Sequence, residues 1–182
     1  MPAERLADGG STDGGIARAL LTIIGQKPYA RITMAEVARA ANVDRATCYW
    51  HFGGKDEIVS WYLRRYLEEC TGRFRESGAQ DMRSYLMTVF TVTLERKDDM
   101  LAIYRSGAAH LLLGALSEAF RMESLSRSAD PLAQYAVAYH VGGIYSDMLL
   151  WFERGMAETP AQMTQVALAS RPAGAFTLLD FG

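Results

Sequence analysis

The sequence is short of cysteine: its 182 residues include two, Cys48 and Cys70, and no CxxC pair. No cluster of histidine and cysteine has the spacing of a zinc site. We therefore predict that the protein needs no metal and no cofactor and that it works in a reduced, cytoplasmic setting. Whether Cys48 responds to redox conditions stays open.

Long apolar runs and enzyme motifs are also missing. Residues 1–15 are rich in Gly, Asp and Ser, which excludes a signal peptide or a membrane span there, and we expect residues 1–13 to be a disordered arm. The chain has no nucleophile elbow, P-loop or metalloprotease motif. An enzyme with His51 or His110 as its base is therefore an unsupported alternative, and we predict that the chain is not an enzyme.

Neither sign of charge dominates the chain, whose formal net charge is −2. That balance hides an asymmetry between its two parts. Residues 14–66 hold eight Lys and Arg against four Asp and Glu, net +4, whereas residues 67–182 hold ten against fourteen, net −4. A basic segment in a slightly acidic protein is suited to binding phosphate groups.

A helix-turn-helix pattern lies inside the basic segment. Thr33 and Glu36 have the spacing of a capping box, which predicts the start of a short helix. Asn42 tolerates a left-handed backbone and ends that helix, and Asp44 is predicted to cap a second helix that runs to Phe52. Two short helices joined by so tight a turn cross steeply, as they do in DNA-binding proteins.

The second helix carries side chains that suit duplex DNA. Arg45 can donate two hydrogen bonds to guanine, and Ala46 or Thr47 can contact a thymine methyl group. Four further side chains have N–H, O–H or ammonium donors that suit phosphate oxygens: Tyr49, Trp50, His51 and Lys55. The competing interpretation is that Tyr49 and Trp50 are simply core residues, as we expect Phe52 to be.

These residues also resemble a known family. The matching stretches are ITM, EVA, ANV, YWHF and KDEI, in that order within residues 14–66. They resemble the N-terminal signature of the TetR/AcrR family of transcriptional regulators. The resemblance implies an all-α, homodimeric repressor that binds palindromic operator DNA and is released by a small-molecule effector. It also implies that the following residues lie where the family contacts operator DNA: Thr33, Arg45, Ala46, Tyr49, Trp50, His51 and Lys55. The sequence does not settle whether the protein is a repressor or an activator.

Apolar residues at helical spacing continue through the rest of the chain. The predicted helices cover residues 16–26, 56–76, 83–96, 98–105, 107–126, 131–153 and 161–170. We divide the chain into the arm (1–13), a helix-turn-helix DNA-binding domain (14–60), here called the head, and an effector-binding and dimerisation domain (61–182), here called the body.

Two sets of body residues are candidates for contacts with a ligand or a second subunit. Aromatic and Met side chains line apolar pockets, so a largely apolar effector is expected against Met87, Phe90, Tyr104, His110, Leu113, Tyr139, Tyr145 and Met148, each of which is also plausible as plain core. The helix at 131–153 is apolar on nearly every side and must be covered on several. Because Gly142 and Gly143 each cost it about 1 kcal/mol, we predict that a second subunit approaches there, together with Trp151 and Phe152.

The main alternative is a helical adaptor, or a ligand-binding protein whose head no longer binds DNA. Three residues argue against it, because a head without DNA would have no need of Arg45, Tyr49 and Lys55 together. DNA footprinting would distinguish the two hypotheses.

Overall fold

The structure is a computed structural model that describes residues 11–127 and 131–170, with side chains described for 11–120 and 134–170. Within these ranges the chain folds into nine α-helices and one short 3-10 helix without a strand, so the predicted all-α class is confirmed. In order, the elements are α1 (Thr12–Ile24), the 3-10 helix (Tyr29–Arg31), α2 (Met34–Ala40), α3 (Arg45–His51), α4 (Lys55–Glu76), α5 (Met82–Glu95), α6 (Lys97–Ser106), α7 (His110–Arg127), α8 (Pro131–Glu153) and α9 (Pro160–Ala169).

The first helix begins earlier than the sequence predicts. Ser11 is its N-cap, and its hydroxyl accepts the backbone N–H of Gly14 at 3.2 Å. Thr12 and Asp13 therefore belong to α1 and not to a disordered arm. The rest of the predicted arm, residues 1–10, lies outside the described residues, as do residues 171–182 of the predicted body.

The helix-turn-helix has the predicted capping and turn residues, with one difference. The capping box is present, because Thr33 Oγ1 accepts the Glu36 N–H at 3.4 Å and Glu36 Oε2 accepts the Thr33 N–H at 2.9 Å. Asn42 has a left-handed backbone with φ of 55°. Asp44 occupies the N-cap of α3, but its carboxylate makes no capping hydrogen bond, so the backbone of the turn sets where α3 starts.

Helix α4 connects the head to the body through 22 residues. It packs against α1 in the head and against α5 and α7 in the body. Polar contacts also tie it to the body: Tyr62 donates to Asp99 Oδ2 at 2.7 Å, and the Tyr66 hydroxyl lies 2.5 Å from Thr93 Oγ1. Apolar packing and these two hydrogen bonds together hold α4 against the body.

A buried ion-pair network joins the far half of α4 to the junction of α5 and α6. The Arg96 side chain is 1 % exposed and pairs with Glu69. Arg73 extends the network, with Glu69 at 2.5 Å and Glu95 at 2.7 Å. A buried guanidinium is costly unless a carboxylate compensates it, so this network favours one arrangement of the three helices.

In the body, α8 packs against α6, α7 and α9. Trp151 and Phe152 are 1 % and 3 % exposed, and Trp151 Nε1 donates to the Glu158 carbonyl at 3.0 Å. The prediction that these two side chains contact a second subunit is therefore wrong, because they are buried within their own chain. Among the described helices, none is long and apolar enough to cross a membrane.

Candidate nucleic-acid interface

The orientation of α3 is set by the residues that it buries. Cys48 is fully buried and Phe52, just past the helix end, is 3 % exposed, and both pack in the core of the head. Burial raises the pKa of the Cys48 thiol above its usual value, which keeps it in the unreactive protonated form. With Cys48 facing inwards, the side chains of Arg45, Ala46 and Tyr49 are exposed on the outer surface.

Two aromatic side chains on α3 are exposed to solvent. Trp50 is 83 % exposed and Tyr49 is 44 % exposed. The interpretation of these residues as core is therefore wrong, whereas Phe52 is core as expected. Exposed aromatic side chains concentrated on one short helix are typical of a surface that meets a partner.

Arg45 and Tyr49 form a pair on the same face of α3. The Arg45 guanidinium carbon lies 5.4 Å from the centroid of the Tyr49 ring. A cation–π contact at an exposed site is worth about 0.5–1 kcal/mol, enough to favour one orientation of a long side chain. The guanidinium is therefore partly ordered before any ligand arrives.

Lys55 has contacts within the head that the sequence did not reveal. Its ammonium donates to the carbonyls of Tyr29 at 2.7 Å and Ile32 at 3.1 Å, and lies 4.6 Å from the centroid of the Tyr29 ring. The Tyr29 hydroxyl donates in turn to Asp56 at 2.6 Å. Burial of the hydroxyl raises its pKa, and the Asp56 carboxylate is the second cause of the increase. Two of the three ammonium hydrogens are thus used internally, which leaves one for a phosphate.

The start of α2 is fixed by ionic and capping contacts. Lys27 Nζ lies 2.5 Å from Glu36 Oε1. The hydrogen bond from Lys27, followed by those from Thr33, lowers the pKa of the Glu36 carboxyl to about 2. Thr33 remains exposed at the helix N-terminus, where backbone N–H groups favour an anion.

His51 pairs with a residue that sequence reasoning missed. Its Nδ1 lies 2.6 Å from Asp13 Oδ1, which links the last turn of α3 to the first turn of α1. Because residues 1–15 are rich in Gly, Asp and Ser, the sequence analysis did not predict that the helix extends to Asp13. Ser11, a good N-cap residue two positions before it, was the signal that could have found it.

The eight predicted pocket residues do not share one environment. Phe90 and Met148 are fully buried in the core, and Met87 lies near α9, with its sulfur 3.9 Å from the Thr164 hydroxyl. Tyr104 and Tyr145 are half-buried. The other three face solvent: His110, Leu113 and Tyr139. Their assignment as pocket residues is therefore wrong for the single chain.

A row of aromatic side chains crosses the body where four helices meet, and no periodicity in the sequence indicates it. Each ring meets the next edge to face, with centroids 5.3, 5.9 and 6.3 Å apart. From α4 to α8 the row is Phe74, Tyr85, Phe120 and His140. His140 is 8 % exposed, so the row includes a buried polar group.

A cleft of about 470 Å³ lies between the head and α6. The end of α1 and the following turn form one wall, and α6 forms the other. Its charged lining residues are Lys27, Asp98 and Arg105. In the part of the chain that the structure describes, no group of three or more His, Cys, Asp or Glu is placed to hold a metal ion.

An apolar face of α8 and α9 is left uncovered by the chain itself. Tyr135 and Tyr139 are 75 % and 67 % exposed, Leu150 is 56 % exposed, and Val166 of α9 is 44 % exposed. A Cβ atom added at Gly142 or Gly143 would meet nothing within 4 Å. The two glycines therefore have open space beside them in the isolated chain.

Comparison with known proteins supports the helix-turn-helix interpretation. Residues 16–60 match the family described as bacterial regulatory proteins, tetR family. The HTH-type transcriptional repressor KstR2 of Rhodococcus jostii (strain RHA1) is 30 % identical over 96 residues, which cover 50 % of this chain and 47 % of that protein. The chain thus spans about half the length of this curated relative.

Two solved structures share the fold over most of their length, each with a TM-score of 0.54. The dihydroxyacetone kinase operon activator DhaS is 15 % identical, with 87 % of this chain and 92 % of that chain covered. A tetR-family transcriptional regulator from Streptomyces coelicolor is 19 % identical, with 92 % and 79 % covered. At these identities the likeness establishes the fold alone.

Proposed function

Because this chain belongs to the tetR family of bacterial regulatory proteins, we propose that it is a cytoplasmic repressor that binds a palindromic operator as a homodimer. The observation that carries the proposal is the exposed face of α3, where Arg45, Tyr49 and Trp50 lie on a head of positive charge. The matched relative is named a repressor. Members of the family are transcriptional regulators and not enzymes.

The head, residues 14–60 together with the first residues of α1, would place α3 in the major groove. Arg45, at the first position of α3, is where helices of this kind contact base edges, and Ala46 and Thr47 follow it. The phosphate contacts would come from the flanking donors: Thr33, Tyr49, Trp50, His51 and the remaining hydrogen of Lys55.

The uncovered face of α8 and α9 would be the dimer interface. Its exposed tyrosines and Leu150 are costly to leave in water, and the open space at Gly142 and Gly143 lets a second backbone come close. A two-fold dimer presents the same patch twice and carries two heads. Two heads on one duplex face require half-sites about 34–36 Å apart, which is why a palindrome is expected.

A small, largely apolar effector would bind in the body, residues 61–182, and release the DNA. The aromatic row of Phe74, Tyr85, Phe120 and His140 supports this location, because it joins α4 to three other helices. An effector that prefers a different position of α4 would change operator affinity by the coupling free energy, typically about 1–3 kcal/mol. Thermal unfolding in the presence of apolar and aromatic compounds would identify the class.

The proposed function is tested by footprinting the DNA upstream of the protein's own gene. Arg45→Ala should weaken operator binding by about 1–3 kcal/mol and relax the preference at one base pair of each half-site. Arg83→Ala, which removes an exposed arginine of α5, is the matched control and should leave the footprint unchanged. Equal footprints for both variants would remove Arg45 from the base contacts, and no footprint for wild type even at low salt would favour the adaptor alternative.

A further inference from the structure

The cleft between the head and α6 has a lining that suits a small organic molecule. Its volume of about 470 Å³ lies within the range of about 300–1,000 Å³ that is common for small-molecule sites. Ile24, Leu101 and Ala102 supply apolar wall, and Lys27 and Arg105 supply two cations. A mostly apolar wall with a few charged groups is the usual composition of such a site.

Arg105 is a cation of the body that is available to a ligand. It lies in the last turn of α6, and its side chain is exposed. No hydrogen bond or ion pair joins this side chain to any residue that the structure describes. A guanidinium can bind a carboxylate through two parallel hydrogen bonds. Arg105 can therefore bind an anion without losing a contact within the described part of the chain.

Lys27 is the cation on the opposite wall, and it leads to the helix-turn-helix. Its ammonium donates one hydrogen to Glu36 Oε1 at 2.5 Å. An ammonium has three donors, and no other residue that the structure describes accepts from this one. Glu36 Oε2 accepts the N–H of Thr33 at 2.9 Å and its hydroxyl at 2.8 Å. Lys27 thus connects the cleft to the start of α2.

Asp98 limits the charge of a matching ligand. It lines the same cleft, about two helical turns before Arg105 on α6. Two cations and one carboxylate give the lining a formal charge of +1, which a monoanion balances. Repulsion from Asp98 favours a position of the anionic group towards Arg105. The apolar wall and this charge together indicate an organic carboxylate.

We propose that the cleft is a binding site for a small organic carboxylate, held between Lys27 of the head and Arg105 of the body. The site is distinct from the effector location proposed at the aromatic row in the body. A ligand that contacts both parts of the chain links its own binding to the position of the head. Because it also neutralises positive charge on the head, its binding weakens operator binding, and this last step rests on the proposed function.

Binding itself is tested on the whole protein without DNA. Benzoate, a monoanion with an apolar ring, is the probe, and benzamide is its uncharged counterpart of nearly the same shape. At constant ionic strength, ¹H–¹⁵N NMR should show saturable shifts of the amides of Gly25 and Ser106, one on each wall of the cleft, with benzoate and not with benzamide. Equal shifts with the two compounds would overturn the proposed anion site.

Arg105→Gln removes the cation of the body and should weaken benzoate binding about tenfold, because a hydrogen bond to a charged group is worth about 1.5–3 kcal/mol. Arg83→Gln, which removes an exposed arginine of α5 outside the cleft, is the matched control and should bind benzoate as wild type does. Unchanged affinity in Arg105→Gln, or shifts centred on α3 in place of the cleft, would overturn the site.

Glu36→Gln tests the role of Lys27 without removing the cap of α2. Glutamine can replace glutamate in a capping box, but it lacks the charge that competes with a ligand for the Lys27 ammonium. Glu36→Gln should therefore bind benzoate several-fold more tightly than wild type. Unchanged or weaker binding would remove Lys27 from the site, since a change that only loosened the head would not raise affinity.

Coupling to DNA is measured by fluorescence anisotropy with the upstream duplex, with sodium benzoate replacing sodium chloride at fixed ionic strength. Saturating benzoate should lower operator affinity about fivefold or more in wild type and not in Arg105→Gln, and the duplex should weaken benzoate binding by the same factor. Unchanged operator affinity with the cleft occupied would overturn the coupling. If no duplex binds at any salt concentration, the regulator proposal itself fails, and the NMR titration still decides whether the site exists.

Discussion

Single side chains in the head have two roles, and Lys55 shows this most clearly. From the sequence it is a phosphate ligand, yet its ammonium caps two carbonyls and lies on the Tyr29 ring. Sequence spacing could not reveal this, because Tyr29 and Lys55 are 26 residues apart and meet only after the head folds. By contrast, local signals such as the capping box of Thr33 and Glu36 were predictable, since both partners lie within one helical turn.

Lys55→Ala should destabilise the protein as well as weaken DNA binding. The substitution leaves two carbonyls without their charged donor, and an unsatisfied buried polar group costs about 1–3 kcal/mol. Urea unfolding of wild type and variant gives the difference in free energy. Arg64→Ala, which removes an exposed cation from α4, should have little effect, and equal stability of Lys55→Ala and wild type would leave Lys55 as a phosphate ligand alone.

Helices as elements were largely predictable, but their partners were not. The start and end of α8 follow from its proline and from the apolar run up to Phe152, and the structure has it at Pro131–Glu153. Apolar periodicity indicates which residues favour burial, but it does not indicate which element packs against them. Trp151 and Phe152 are covered by their own chain, whereas Tyr135 and Tyr139 are not.

Gly143→Leu should separate the subunits without harming the fold of each one. A Cβ at Gly143 meets nothing within 4 Å in the single chain, and replacing a helical glycine removes a penalty of about 1 kcal/mol. Light scattering at low micromolar concentration should therefore find monomers, and circular dichroism should find the helical content of wild type, although the melting temperature loses the contribution of the partner subunit. Gly15→Leu in α1, where a Cβ also meets nothing within 4 Å, should remain dimeric, and a dimeric Gly143→Leu would remove this glycine from the interface.

Across the molecule, charge is divided between residues 14–66, of net +4, and residues 67–182, of net −4. The acidic part would repel the phosphate backbone, which favours the orientation that brings the head to the duplex. The charge division was visible in the sequence. The pairing of Asp13 with His51 was not, because it depends on how α1 crosses α3.

Operator affinity should fall steeply as salt is added. Each phosphate that a cationic side chain neutralises contributes about −0.9 to the slope of log affinity against log salt. Filter binding or fluorescence anisotropy between about 50 and 200 mM salt measures this slope. A slope near zero would mean that the positive head does not face the phosphates.

The unbroken length of α4 turns it into a lever arm. Its 22 residues span about 33 Å at a rise of about 1.5 Å per residue. A tilt of about 5° at the body end would move the head end by about 3 Å, and opposite movements in the two subunits of the proposed dimer would double this displacement. A rearrangement too small to disturb the packing of the body would therefore suffice to change the spacing between the two heads, so that it no longer matches the helical repeat of the duplex.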